Sequence, residues 1–144
     1  MPSDVVHLVA LLEHGALEEG NEESSDLNAY SEALAAIQAS GTSDVLVAEM
    51  DGAVVGMCQL LMLRHFQRRG GLCAEVESMH VDPALRGRGI GERLLDAVVG
   101  TARQAGCYRV QLTSNLLRTK AHRFYERHGF VPSHVGFKRL LETT

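Results

Sequence analysis

Residues Val81 to Gly91 read Val-Asp-Pro-Ala-Leu-Arg-Gly-Arg-Gly-Ile-Gly, and they join an apolar β-rich stretch to a helical pattern. An apolar strand, a turn marked by Pro83 and a loop with glycines at 87, 89 and 91 follow one another directly. Lacking Cβ atoms, such a loop turns sharply and lets a ligand reach its N–H groups. The helix predicted over Glu92 to Ala105 aims its first unpaired N–H donors and the positive end of its dipole at the same corner. Such a corner receives phosphate. The next β-rich stretch is Arg109 to Thr113, so the unit is strand, loop, helix, strand. A crossover connection of this kind makes the strands at 74–81 and 109–113 parallel and predicts an α/β (α+β) fold.

Spacing separates the phosphate ligands that share this physics. A nucleoside-triphosphate loop needs Gly-x-x-x-x-Gly-Lys-Ser/Thr, and no lysine follows Gly91. A dinucleotide loop needs Gly-x-Gly-x-x-Gly, whereas here the third glycine comes one residue early and the next strand ends in Thr113 rather than an acid.

The rest of the chain is read around this unit. Asp4 to His14 is a predicted helix, with Ser3 as N-cap, Val5, Leu8, Val9 and Leu12 on one face, and Gly15 as its end. Tyr30, Leu34 and Ile37 mark a second helix finishing before Gly41. Val45–Met50 and Ala53–Leu63 flank Asp51-Gly52, a hairpin signal that predicts antiparallel strands. Leu94, Leu95, Val98, Val99 and Ala102 form the core stripe of the helix after the loop. Arg118 to His128 is the next predicted helix, and Phe130–Val131 with Val135–Leu141 are predicted as closing strands. With 144 residues and no linker or repeat, one domain over 1–144 is expected. The apolar runs are too short for a membrane helix and Met1-Pro2-Ser3-Asp4 lacks a basic leader, so a cytoplasmic protein without a membrane partner is expected. Cys58, Cys73 and Cys107 lack metal-ligand spacing and read as buried thiols, and no histidine pair has such spacing either, so no metal site is expected.

Arg86-x-x-Gly89-x-Gly91 after a strand ending Val-x-Pro resembles the acyl-coenzyme A loop of the GNAT family of N-acetyltransferases. Asn115 followed by Ala121, Phe124, Tyr125, Glu126, Gly129 and Phe130 is similar to the later motif of that family, and the likeness runs from about Asp44 to Leu141. The closing stretch, with Ser133-His134 and Phe137-Lys138, resembles the small-molecule branch that includes the aminoalkylphosphonate N-acetyltransferases. The resemblance implies a single mixed, mostly antiparallel sheet with a splayed parallel pair, flanked by about four helices. It implies acetyl-coenzyme A as co-substrate, a small-molecule amine as acceptor, and a homodimer, since dimers are common among relatives. Relatives usually have a strand before the first helix, and only Met1-Pro2-Ser3 stand there in this chain.

The chemistry so implied needs a base, because an alkylamine with a pKa of ~10.4 attacks a thioester only when neutral. Glu75 and Glu77, two apart on the strand before the loop, share one face. By the resemblance Glu77 is the first candidate for the base, with Glu75 beside it, and Tyr125 protonates the departing thiolate. Backbone groups of Met79, His80 and Val81 would pair with the pantetheine arm. The loop Arg86, Gly87, Arg88, Gly89, Ile90 and Gly91 would hold the diphosphate, and Asn115 would hold the arm from the other side. Each has a plainer reading: Glu75 and Glu77 as solvated strand residues, Tyr125 as packing beside Phe124, Asn115 as a helix cap, and Arg86 and Arg88 as solvated loop residues.

Charge divides the chain. Residues 1–63 hold eleven acids and no Lys or Arg, whereas residues from Arg64 onward hold fourteen basic side chains against seven acids. A basic half carrying the phosphate loop suits a polyanionic coenzyme, while 5% aromatics and no recognition module argue against nucleic acid. Glu18, Glu19, Glu22, Glu23 and Asp26 would draw a cationic amine, and Arg64, Arg68 and Arg69 an anionic tail, which predicts a zwitterionic acceptor. His65 and His134 are further candidates for its pocket. A protein lysine or N-terminus is the alternative acceptor, and a coenzyme-binding sensor without turnover is the non-enzymatic alternative.

Overall fold

The computed structural model describes residues 4–15 and 26–142. Ser3, the positions 1–3 where relatives have a strand, and the acidic residues 18–23 lie outside the described residues. The chain falls into two compact units, Met1–Leu112 and Thr113–Thr144.

In the first unit, helices α1 (Val5–Gly15) and α2 (Leu27–Ala39) precede strands β1 (Ser43–Met50) and β2 (Ala53–Arg64). A single turn α3 (Gln67–Gly70), strand β3 (Leu72–Val81), a 3-10 turn (Pro83–Leu85), helix α4 (Ile90–Gln104) and strand β4 (Arg109–Leu112) follow. The sheet order is β1-β2-β3-β4, with the first two pairings antiparallel and β3–β4 parallel. The Asp51-Gly52 turn adopts φ of 52° and 81°, the paired left-handed conformation whose twist matches the flanking strands. Asp26 caps α2 by accepting from the Ala29 N–H at 3.3 Å.

Two apolar layers sandwich the sheet. On one face Val5, Leu8, Val9 and Leu11 of α1 and Leu34 of α2 bury against Val54 and Met57 of β2. Leu12, expected in that stripe, is only partly buried, and Leu11 takes its place. On the other face Ile90, Leu94, Val98 and Ala102 of α4 cover Val55, Cys58, Leu60, Ala74 and Val76. Each fully buried aliphatic side chain here contributes about 1.5–3 kcal/mol. Gly56 lets α4 come this close: a Cβ there would lie 3.1 Å from both Ile90 Cγ2 and Leu94 Cδ1. All three cysteines are free, Cys58 and Cys73 wholly buried.

The second unit contains helix α5 (Thr119–Arg127). The closing strands expected at 130–131 and 135–141 do not form: residues 130–142 carry no strand. A strand forms only where its N–H and C=O groups find a ladder partner, and alternating apolar residues without one stay irregular. Val131, Val135, Phe137, Leu140 and Leu141 are between 72% and 93% exposed. Among the described residues, no helix is long and apolar enough to cross a membrane.

Candidate functional site

Strand pleat and one irregularity in β3 build the site. Val76 belongs to the α4 side of the sheet, so Glu77 faces the α1–α2 side. Directly paired residues share a face, and Val45 pairs with Gln59, which pairs with Glu77. A row Val45–Gln59–Glu77 therefore crosses three strands beneath α1 and α2. Beyond it the register steps from Gln59↔Glu77 to Met57↔His80, so Ser78 and Met79 together oppose Cys58. This is a bulge, with Ser78 at a φ of 53°. Its extra residue turns Ser78 to the same side as Glu77 and returns Met79 and Val81 to the α4 layer.

Partial burial pushes the Glu77 carboxyl above the usual carboxylate range, and the neighbouring charge of Glu75 pushes it the same way. A carboxylate so raised still reaches solvent and is a better match to a proton-accepting role near neutral pH. Glu75 is held differently: its Oε2 accepts from Gln111 Nε2 at 3.2 Å, across the parallel pair with β4. The two carboxylates share a face, as their spacing predicts, yet only Glu77 adjoins the bulge.

The parallel pairing is short. It runs from Cys73↔Arg109 to Val76↔Leu112, and β3 continues five residues further, from Glu77 to Val81. Among the described residues no strand pairs with that stretch on the β4 side. Met79, His80 and Val81 lie on it, and Gly15 at the end of α1 rests against the His80 imidazole.

At the end of β3 the chain is anchored before it turns. Asp82 N–H donates to Val55 O at 2.8 Å, while Asp82 Oδ1 accepts from Ala84 N–H at 2.9 Å. Gly87 and Gly89 then take φ of 84° and 77°, values that disfavour any side chain. Open space lies where a Cβ would project from either. Gly89 is the N-cap of α4, and the first helical bond runs from Arg93 N–H to Gly89 O at 3.1 Å. The N–H groups of Ile90, Gly91 and Glu92 thus precede the ladder and point out of the helix end. Arg86 and Arg88 are exposed on the same loop.

A cavity of about 110 Å³ lies on the α1–α2 side, and two of its lining residues are neighbours of Glu77: Gln59 across the strand pair and Ser78 next in the chain. Val45, Met57, Gln59 and Ser78 form its floor, and Leu8, Leu12, Ala33 and Ile37 wall it.

The basic residues expected to hold an anionic tail stand elsewhere. Arg64 pairs with Leu72, at the opposite end of β3, and donates to Gly70 O at 2.7 Å. Arg68 stacks on Tyr108 at 5.0 Å, and His65 hydrogen-bonds the same phenol. Five strand steps of ~3.3 Å put this cluster about 16 Å from Glu77.

In the second unit, Asn115 does not cap α5, whose N-cap is Arg118. Its Oδ1 accepts from Leu117 N–H at 2.9 Å and its carbonyl meets the His122 ring at 2.8 Å. Tyr125 on α5 lies edge-on to Phe124 and Phe130, with ring centroids 5.4 and 6.0 Å away. His134 is exposed and hydrogen-bonded to Ser133 Oγ at 2.6 Å. Burial raises the Cys58 thiol to about 11, which keeps it protonated and unreactive. Among the described residues no three His, Cys, Asp or Glu side chains gather as metal ligands.

Sequence reasoning did not find Ser78, Gln59 or Gln111. No residue type signals the bulge, since Ser78 takes a conformation usually left to glycine, and cross-strand neighbours emerge only once the register is known.

Residues 8–130 match the model of the Acetyltransferase (GNAT) family. The chain is 39% identical over 95 residues to an aminoalkylphosphonate N-acetyltransferase of Salmonella typhimurium, covering 66% of this chain and 61% of that one. It is 41% identical over 93 residues to glucosamine 6-phosphate N-acetyltransferase 1 of Oryza sativa subsp. japonica, covering 63% and 54%. The chain thus spans somewhat over half the length of these curated relatives. Among solved structures, a transcriptional regulator from Bacillus halodurans C-125 superposes with a TM-score of 0.93 over 98% of this chain and 95% of that one, at 29% identity.

Proposed function

Because the chain belongs to the GNAT acetyltransferase family, we propose that it is an acetyl-coenzyme A-dependent N-acetyltransferase for the primary amine of a small molecule. One observation carries the reading: the open loop and helix end at Gly87–Gly91 continue directly from the stretch of β3 that bears Glu77 and outruns β4. The coenzyme supplies an activated acetyl thioester. The N–H groups of Gly87 to Glu92 receive its diphosphate, with Arg86 and Arg88 as charged donors at the rim. Met79, His80 and Val81 offer backbone groups to the extended arm, and one N–H there polarises the thioester carbonyl. Asn115 donates to the arm through Nδ2.

Glu77 accepts the proton of the acceptor ammonium, and the neutral nitrogen attacks the carbonyl carbon. The C–N bond forms as the C–S bond breaks. Tyr125 protonates the leaving thiolate, and the proton shed by the new amide nitrogen restores it. Glu75, fixed by Gln111, keeps Glu77 basic through its charge. The enzyme acts as a homodimer, the second copy covering the apolar side chains of residues 131–141.

Thiol release with acetyl-coenzyme A and a set of free amines and peptides tests the reading. Glu77→Gln is expected to lower kcat about 10²-fold to 10³-fold, the scale of a lost general base, with calorimetric binding of acetyl-coenzyme A unchanged. Equal turnover in the two proteins would remove Glu77 from the reaction. Faster turnover on peptides than on free amines would give the acceptor role to a protein.

A further inference from the structure

The cavity on the α1–α2 side has a definite polarity. Its polar lining is Gln59 and Ser78, the neighbours of Glu77 across the strand pair and along the chain, together with Tyr30 of α2, whereas Leu8, Leu12, Ile37 and Val45 are apolar lining from the helices and the sheet. No Lys or Arg lines it. None can be contributed from α1, α2, β1 or the segment joining the helices, because the first 63 residues contain neither. The described residues of that stretch hold seven acids, so the field there favours cations over anions. A phosphate or phosphonate drawn into the cavity would lose water with no Lys or Arg among the lining residues to receive it. The second ammonium of a diamine would meet the same apolar wall. Arg64 and Arg68 are engaged with Gly70 and Tyr108 at the far end of β3.

We infer that the acceptor is a monoamine with an uncharged apolar body, alkyl or arylalkyl, whose body fills this cavity while its amine meets Glu77 beside Gln59 and Ser78. The inference rests on the acetyltransferase reading and narrows it. The cavity is of the order of the apolar cavities of about 150 Å³ that admit a benzene ring. Burial of each added methylene is worth about fourfold in affinity.

The test is an initial-rate series with butylamine, pentylamine, hexylamine and 2-phenylethylamine against 2-aminoethylphosphonate, glucosamine 6-phosphate and 1,4-diaminobutane. The apolar amines are expected to lead in kcat/KM by at least about tenfold, rising about twofold to fourfold per methylene along the series. Val45→Arg, which puts a cation on the cavity's floor, and the surface-tolerated Ala33→Lys, which puts one at its exposed edge, should narrow that lead and raise the phosphorylated amines. A wild-type preference for a phosphorylated amine or a diamine, or an unchanged ratio in both variants, would overturn the inference. Calorimetric titration of hexylamine into wild type and Ala33→Lys reads the cavity without turnover. Hexylamine binding weakened by Ala33→Lys, with no thiol release from any amine, would keep the cavity assignment and overturn acetyl transfer. No hexylamine binding and no rate preference would overturn the cavity assignment itself.

Discussion

The proton affinity of Glu77 bears on stability and, through its proposed role as the base, on turnover. Its raised pKa means that the folded chain holds this proton more tightly than the unfolded chain does. Stability is therefore lost as pH rises from the ordinary carboxylate range through the folded value, and the penalty persists above it. Glu77→Gln lacks the carboxylate, so its melting temperature should exceed that of wild type at pH 7 and converge with it below pH ~4. A gap that does not close in acid would assign the effect to packing. Glu75 acts on the same proton through its charge. Glu75→Gln should move the acid limb of the pH dependence of kcat/KM to lower pH, because a negative neighbour raising Glu77 has gone. If Glu75 were the base instead, the substitution would abolish the rate rather than shift its profile.

Helix α4 links packing to ligand binding. Its N-terminal turn, the proposed phosphate site, is held on the sheet by Ile90 and Leu94 lying over Gly56. Gly56→Val overfills that contact and should cost about 1–3 kcal/mol in a denaturant titration. With the displaced turn as the proposed phosphate donor, acetyl-coenzyme A binding should weaken by more than tenfold in calorimetry. Loss of stability with binding intact would show that the helix end does not position the ligand. The hairpin of β1 and β2 was legible in full, since Asp51-Gly52 specifies its own turn conformation. The β3 bulge was not, because it is fixed by register against β2 and by the layers on both faces.

The whole molecule leaves a large apolar surface on its C-terminal residues. Val131, Val135, Phe137, Leu140 and Leu141 are exposed within eleven residues, the kind of apolar run that marks an interaction surface. With a second copy as that partner, light scattering should give a dimer for wild type and a monomer for Phe137→Glu. A wild-type monomer, or a dimer indifferent to the substitution, would exclude this surface from the interface. The closing strands predicted here are correct in pattern and absent in fact, because alternation describes which side chains want burial and says nothing about where the ladder partner lies.

The sequence alone determined the elements that depend on neighbours a few residues apart: the glycine loop and its helix, the hairpin, the parallel crossover, and the shared face of Glu75 and Glu77. Those follow from dihedral preference and periodicity, which are local. Only the tertiary structure decided that Glu77 is partly desolvated while Gln111 holds Glu75, that Ser78 turns to the same side as Glu77, and that the cavity lined by Gln59 and Ser78 is mostly apolar with Arg64 and Arg68 at the other end of β3. Burial, register and distance are sums over residues remote in the chain, and a linear pattern does not contain them.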